Sequence, residues 1–286
     1  MVYGIVSIHY HWILQKIINK HIMLKVNAKT KLFGVLADPI EHVRAPDIYN
    51  EKWIYNNKNQ LMIPIHVKKE NLQSTIEGLR SSSNFYGFCV TIPHKVDVAK
   101  YCDILLPNAE MIGAVNVAYF NKKRELIGNN FDGDGFIAGL KSQGYDVTGK
   151  RIFLAGAGGA SRAIAFSLAK NQVYSIYIIN RTEETASDLC NSILKWYPDV
   201  DIKLYKNFSE CDILINTTSL GLKESDELPF DVDKSSSSSL IADIIMKPEM
   251  TRLLNKAKLI NRKIHLGKHM LDYQIELMEN FLTKDI

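Results

Sequence analysis

The run Arg151-Ile152-Phe153-Leu154-Ala155-Gly156-Ala157-Gly158-Gly159-Ala160-Ser161-Arg162 constrains the fold more than any other part of the chain. Arg151 to Leu154 reads as a short buried strand, and Arg162 to Lys170 as a helix. Between them the glycines permit a tight turn. They also let an anionic group approach the free N–H groups at the helix start. Ser161 stands where a third glycine is usual, and is small enough for the helix to pack close to the sheet. The pattern then alternates. Tyr174 to Ile179 reads as a strand, Thr182 to Leu194 as a helix, and Asp201 to Leu204, Cys211 to Asn216 and Leu240 to Asp243 as strands. Such a series predicts a doubly wound parallel sheet that binds a dinucleotide.

The end of the strand after the loop discriminates between dinucleotides. An acid there would bond a ribose 2′-hydroxyl and repel a 2′-phosphate. This chain has Asn180-Arg181-Thr182 instead. The planar fork of Arg181 suits a phosphate, and Thr182 adds a hydroxyl donor. A cation at a helix start is poorly placed unless an anion arrives. The expected cofactor is therefore NADP.

The first half reads as strand, helix, strand, helix, strand. Lys31 to Leu36 precedes the turn at Asp38-Pro39. A helix with Pro46 in its first turn runs through Asn56, with Ile48, Trp53 and Ile54 as its apolar stripe. Leu61 to Val67 is a strand that Pro64 confines to an edge or a bulge. Leu72 to Leu79 is helical, and Tyr86 to Thr91 is a third strand ending at Pro93. This order points to a second sheet with crossover helices. Ala114 to Phe120 and Glu125 to Ile127 form a hairpin about Lys122–Arg124. Asp132 opens a helix reaching about Ser142. Ser235 to Ser239 reads as a solvated loop. His269 to Leu282 is a helix with a broad apolar face that folds back on the first half. The expected organisation is an extension over 1–29, a substrate-binding catalytic domain over 30–131, a Rossmann-type domain over 132–266, and a returning helix over 267–286.

Composition narrows the function. In 286 residues, 46% hydrophobic and 23% charged side chains suffice for one large core or two ordinary ones. A net charge of +4 is too small and scattered for a nucleic-acid surface. No apolar run is long enough to cross a bilayer. Met1 to Lys25 lacks the basic start, clean apolar middle and cleavage site of a secretory signal, although residues 13–22 suit an amphipathic helix. Cys89, Cys102, Cys190 and Cys211 include no C-x-x-C pair, and the histidines form no ligand motif, so reduced thiols, a cytoplasmic location and no metal are expected.

Lys95, after Thr91-Ile92-Pro93-His94, and Asp132, at the start of its helix, bracket the junction of the two halves. Hydride transfer to or from an alcohol carbon also requires a proton to move at oxygen. A lysine held by an aspartate can take and return it, or hydrogen-bond the developing alkoxide. Residue types alone leave open which of these Lys95 does.

Taken together, the segments resemble the shikimate dehydrogenase family. The matching stretches are Pro39-Ile40-x-His42, Val90-Thr91-Ile92-Pro93-His94-Lys95, Gly113-Ala114-Val115-Asn116, Gly128-x-Asn130-x-Asp132-Gly133, Gly156 to Arg162, Asn180-Arg181-Thr182, Asn216-x-Thr218-Ser219-x-Gly221 and Met270-Leu271-x-x-Gln274. The resemblance implies reversible reduction of 3-dehydroshikimate by NADPH in a cleft between two domains, by a monomer or homodimer acting on a small cyclic hydroxy acid. It places the catalytic pair at Lys95 and Asp132, and substrate contacts at Thr91, Asn116 and Gln274. The phosphate loop falls on Gly156, Ala157, Gly158, Gly159 and Ala160, and the 2′-phosphate clamp on Asn180, Arg181 and Thr182. The nicotinamide side falls near Thr218, Ser219, Ile244, Gly267 and Met270.

The departures are specific. Two serines that hold the substrate carboxylate in the family are Val43 and Ala45 here, flanking Arg44. An assisting tyrosine is Met246, an asparagine is Cys89, and a second basic residue of the clamp is Thr185. Either Arg44 replaces the lost hydroxyls, or the substrate is a different cyclic hydroxy compound. A non-catalytic NADP or metabolite sensor of the same fold is the alternative from another functional class.

Overall fold

The computed structural model describes residues 25–285 apart from 42 and 206. The expected helix over 13–22 and the matching residue His42 lie outside the described residues.

The first sheet contains β1 (Lys31–Ala37), β2 (Gln60–His66), β3 (Phe85–Val90), β4 (Ile104–Leu105), β5 (Val117–Phe120) and β6 (Leu126–Asn129), in the order β2-β1-β3-β5-β6-β4. β1 runs parallel to β2 and β3, whereas β5 is antiparallel to β3 and β6. Pro64 is tolerated because β2 is an edge strand. The period of two in β1 sends Phe33 and Val35 to one face, with Tyr49 and Trp53 of α1 (Ala45–Tyr55). Leu36 goes to the other face, with Leu72 and Ile76 of α2 (Leu72–Ser81). α3 (Lys95–Ala99) and α4 (Pro107–Ile112) follow β3 and β4.

α5 (Asp132–Ser142) leads to the second sheet. Its strands are β7 (Arg151–Ala155), β8 (Ser175–Ile179), β9 (Asp201–Leu204), β10 (Ile213–Asn216), β11 (Leu240–Asp243) and β12 (Lys263–His265). The order β12-β11-β10-β7-β8-β9 is parallel throughout. Helices cover both faces, so the strands are apolar on both sides. Ile152 and Leu154 meet α5, α6 (Gly159–Lys170) and α7 (Glu183–Leu194). Phe153 and Ala155 meet Phe208, Phe230 and α8 (Arg252–Leu259). Strand order reverses between β7 and β10, where a doubly wound sheet leaves a crevice for a ligand.

α9 (Lys268–Leu282) joins the two cores. Met270 packs in the core of the second sheet, while Ile275, Met278, Phe281 and Leu282 pack beneath β1, β3 and β5. Buried Glu279 fixes this return by accepting bonds from Trp53 Nε1 and Lys58 Nζ, each at 2.9 Å, and by pairing with Lys52. Burial alone would raise its pKa, but these partners hold it below the usual carboxylate range.

Three expectations change. The third strand ends at Val90, and Lys95 opens a helix of its own. β4, α4, α8 and β12 were not foreseen. The serine run is not simply solvated: Ser235 and Ser239 are buried, with hydroxyls donating at 2.7 Å to the carbonyls of Val232 and Cys211.

Candidate active site

The turn after β3 brings Lys95 to the first position of α3, where Val115 N donates to its carbonyl at 2.8 Å. That bond sets Asn116 beside it at the entrance to β5. Asn116 Oδ1 accepts from Phe131 N at 3.1 Å, and Asn130 Oδ1 from Asp132 N at 3.0 Å. The two amides thereby orient the first residue of α5. Lys95 Nζ then donates to Asp132 Oδ2 at 2.7 Å, and Asn116 Nδ2 to Oδ1 at 3.0 Å. Gln274 Nε2, reaching in from α9, also donates to Oδ1. Close packing of the helices brings Gln274 there. A Cβ on Gly135 would lie 2.8 Å from Gln274 Cβ and 2.9 Å from the Met270 carbonyl.

The Asp132 side chain is 3% exposed and that of Lys95 24%. Burial pushes the Asp132 pKa up. The Lys95 ammonium, with hydrogen bonds from Lys95, Asn116 and Gln274, outweighs it and holds the carboxyl below its usual range. Asp132 is thus an anion whose oxygens are all engaged, and Lys95 faces the cleft with its other N–H groups.

This cluster lines a cavity of about 620 Å³ between the sheets. Val43, Arg44, Ala45 and Thr91 line it from the first half, and Ile244, Gly267 and Met270 from the second. The sequence reading missed Tyr49, Glu41, Asp47 and Lys247 as lining residues. The spacing of Ala45, Tyr49 and Trp53, one every four residues, was the available signal for Tyr49. Tyr49 Oη donates to the Ile275 carbonyl at 3.0 Å, and Cys89 lies beside it. Burial pushes the Cys89 thiol up to about 12, so it is neutral.

The other predicted residues stand outside this cavity, at the C-terminal ends of β7, β8 and β10. Gly156 has φ +114°, and a Cβ there would come within 2.6 Å of Thr217 Oγ1. Gly156 N donates to the Ile179 carbonyl at 2.8 Å, so the loop abuts the Asn180 to Thr182 segment. Gly158 and Gly159 face open space, and no side chain caps the start of α6. Ala157 is buried beneath, and Ala160 sits in the first turn of the helix. Asn180 Nδ2 donates to the Thr182 carbonyl at 2.9 Å, leaving exposed Arg181 with no ion pair among the described residues. Thr218 is fixed by Asn216, whose Oδ1 accepts from its N and Oγ1, and Ser219 is exposed beside it. Asn216 Nδ2 in turn donates to Asp243, tying the ends of β10 and β11 together at 3.1 Å.

Comparisons with known proteins place the chain in a family. A family model for the shikimate dehydrogenase substrate binding domain matches residues 35–118, and one for shikimate / quinate 5-dehydrogenase matches residues 139–257. A shikimate dehydrogenase (NADP(+)) of Alkaliphilus oremlandii is 36% identical, over 86% of this chain and 89% of its own. Among solved structures, a shikimate dehydrogenase in complex with NADP+ superposes with a TM-score of 0.85 at 34% identity, covering 91% of this chain and 92% of that one. The shikimate 5-dehydrogenase of Thermus thermophilus in complex with NADP(H) and shikimate gives 0.80 at 28% identity, covering 89% and 94%. The chain belongs to the shikimate dehydrogenase family.

Proposed function

We propose that this chain is an NADP-dependent oxidoreductase that interconverts 3-dehydroshikimate, or a related cyclic ketone, and its alcohol. The observation that carries the reading is the 2.7 Å pair of Lys95 and buried Asp132 at a cavity that Ile244, Gly267 and Met270 also line. The residues present fit the cofactor. The open loop at Gly158 and Gly159 with the uncapped start of α6 suits a pyrophosphate, and exposed Arg181 with Thr182 suits a 2′-phosphate. Thr218, Ser219, Ile244, Gly267 and Met270 would flank the nicotinamide. When bound, NADPH supplies the hydride.

The protein's own groups handle the proton. The Lys95 ammonium hydrogen-bonds the substrate carbonyl oxygen, stabilises negative charge there and carries the proton that this oxygen takes up. Asp132 holds the ammonium in place. Because Asn116 and Gln274 saturate its other oxygen, Asp132 acts through Lys95 and not directly on substrate. Thr91 and the free carbonyl oxygen of Gln274 are available to ring hydroxyls.

The substrate-binding unit corresponds to residues 30–131 and the cofactor-binding unit to 132–266, with 267–286 completing the first. The partner is a small molecule, and the enzyme acts in the cytoplasm as a monomer or homodimer. Among the described residues no helix is long and apolar enough to cross a membrane. The test is NADPH oxidation with 3-dehydroshikimate and a panel of cyclic hydroxy ketones. Turnover is expected with at least one of them. Tight ligand binding without turnover on any would instead support a sensor.

A further inference from the structure

The wall that β1, β3, the start of α1 and the middle of α9 present to the cavity is apolar. Val35, Val43, Ala45, Ile275 and Met278 supply it. Two polar groups interrupt it, and neither can hold an anion. The Tyr49 hydroxyl already donates its hydrogen bond to the Ile275 carbonyl, and the buried Cys89 thiol is a weak donor beside it.

Charge leads to the same conclusion. Among the described residues, the charged side chains lining the cavity are Arg44, Lys95 and Lys247 against Glu41, Asp47 and Asp132, and they cancel. Lys95 is already neutralised by Asp132. Arg44 and Lys247 are exposed at the mouth, and Arg44 lies between exposed Glu41 and Asp47. A carboxylate resting on this wall would therefore lose its water without gaining an ion pair or a charge-assisted hydrogen bond there, which is strongly unfavourable. The polar groups that remain deeper in the cavity are the other Lys95 N–H groups, the Thr91 hydroxyl, the second amide N–H groups of Asn116 and Gln274, and the Gln274 carbonyl oxygen. These are a charge-compensated ammonium, neutral amide donors, one donor–acceptor and one acceptor, a set that suits neutral hydroxyls and a ketone.

We infer that the preferred substrate of this cavity is an uncharged polyhydroxylated ketone, with its alcohol as the reverse substrate. Its carbon skeleton, and not a carboxylate, rests on Val43, Ala45 and Cys89. The inference builds on the proposed hydride transfer and narrows its substrate class.

The test compares kcat/KM for NADPH-dependent reduction of three ketones by the full chain. They are 3-dehydroshikimate, its methyl ester, and the same ring with hydrogen in place of the carboxylate. Each charge-assisted bond the wall fails to supply is worth roughly ten- to a hundredfold. Both uncharged ketones should therefore exceed the acid at least about tenfold. An acid equal to or better than both overturns the inference while leaving hydride transfer intact. If none is reduced above the background of Lys95→Ala, the hydride-transfer reading fails and the inference falls with it. Two variants separate the wall from the mouth. Val43→Ser with Ala45→Ser should raise the acid-to-ester ratio about tenfold by restoring donors; an unchanged ratio counts against the wall as the discriminator. Arg44→Gln should leave that ratio unchanged. A fall of about tenfold would make Arg44 a carboxylate clamp and overturn the inference.

Discussion

At the scale of single residues, the proposed proton transfer by Lys95 and its ion pair with Asp132 can be separated. Lys95→Ala should lower kcat roughly 10²- to 10⁴-fold, as loss of a proton-transfer group does, with NADPH affinity by fluorescence titration nearly unchanged. It also leaves Asp132 buried with only two amides as partners. Unfolding free energy at pH 7 should fall by about 1–3 kcal/mol. In the parent the depressed Asp132 pKa contributes stability present above the unfolded carboxylate value and lost as pH falls through the folded one. The variant's deficit should therefore shrink in acid as the carboxyl protonates, which denaturant titrations at several pH values will read. Arg181→Ala should raise KM for NADPH about tenfold or more and narrow its preference over NADH, because the group proposed to pair with Arg181 is the 2′-phosphate. His265 gives a pH effect of the same sign, through a base that is buried neutral. It is buried, its ring nitrogens have no hydrogen-bond partner among the described residues, and burial, then the neighbouring His269, push its pKa down to about 4. The unfolded chain binds this proton near pH 6.5, so stability is full above that value and declines as pH falls towards 4. His265→Phe should flatten the change in Tm between pH 7 and 4.5.

At the scale of elements, the site depends on how closely α5 and α9 pack. Gly135→Ala should cost about 1–3 kcal/mol by overpacking and lower kcat/KM as Gln274 withdraws from Asp132. A variant that loses stability with unchanged kcat/KM would show that the helix contact does not position the cluster. The elements that the sequence announced are those long enough to show a period. β7, α6 and β8 were legible through strand pattern, glycines and helix pattern together, and α5 through Asp132 at its start. α3 has five residues, β4 two and β12 three, too few for any period to declare itself. The sequence singled out Lys95 as a candidate but misassigned its element, since one turn of helix after a proline resembles the end of a strand. The buried serines were missed for a different reason. Composition says that serine is polar, not that a carbonyl waits for its hydroxyl. Tyr49 was overlooked because a tyrosine on an apolar stripe reads as core, and here it is both core and cavity wall.

At the scale of the whole molecule, the fold class was legible because each half repeats a consistent rule. The second half alternates strand and helix, and the first gives crossover units followed by a hairpin. The cleft was legible only through the family resemblance and not through residue pattern, since its walls come from β1, β3, α1, α5, α9 and the segment after β11, which only the tertiary arrangement brings together. Each sheet has cores of its own, and α9 has Met270 in one and Phe281 in another. If one half loosens first on heating, the four-residue cluster comes apart while the other half still gives a native circular-dichroism signal. Enzymatic inactivation should accordingly precede or coincide with the first of two calorimetric transitions, and never follow the second. A thermostabilisation campaign aimed at the sturdier half would raise the later transition without extending the working temperature by a degree, because this catalyst is only as heat-resistant as its weaker partner.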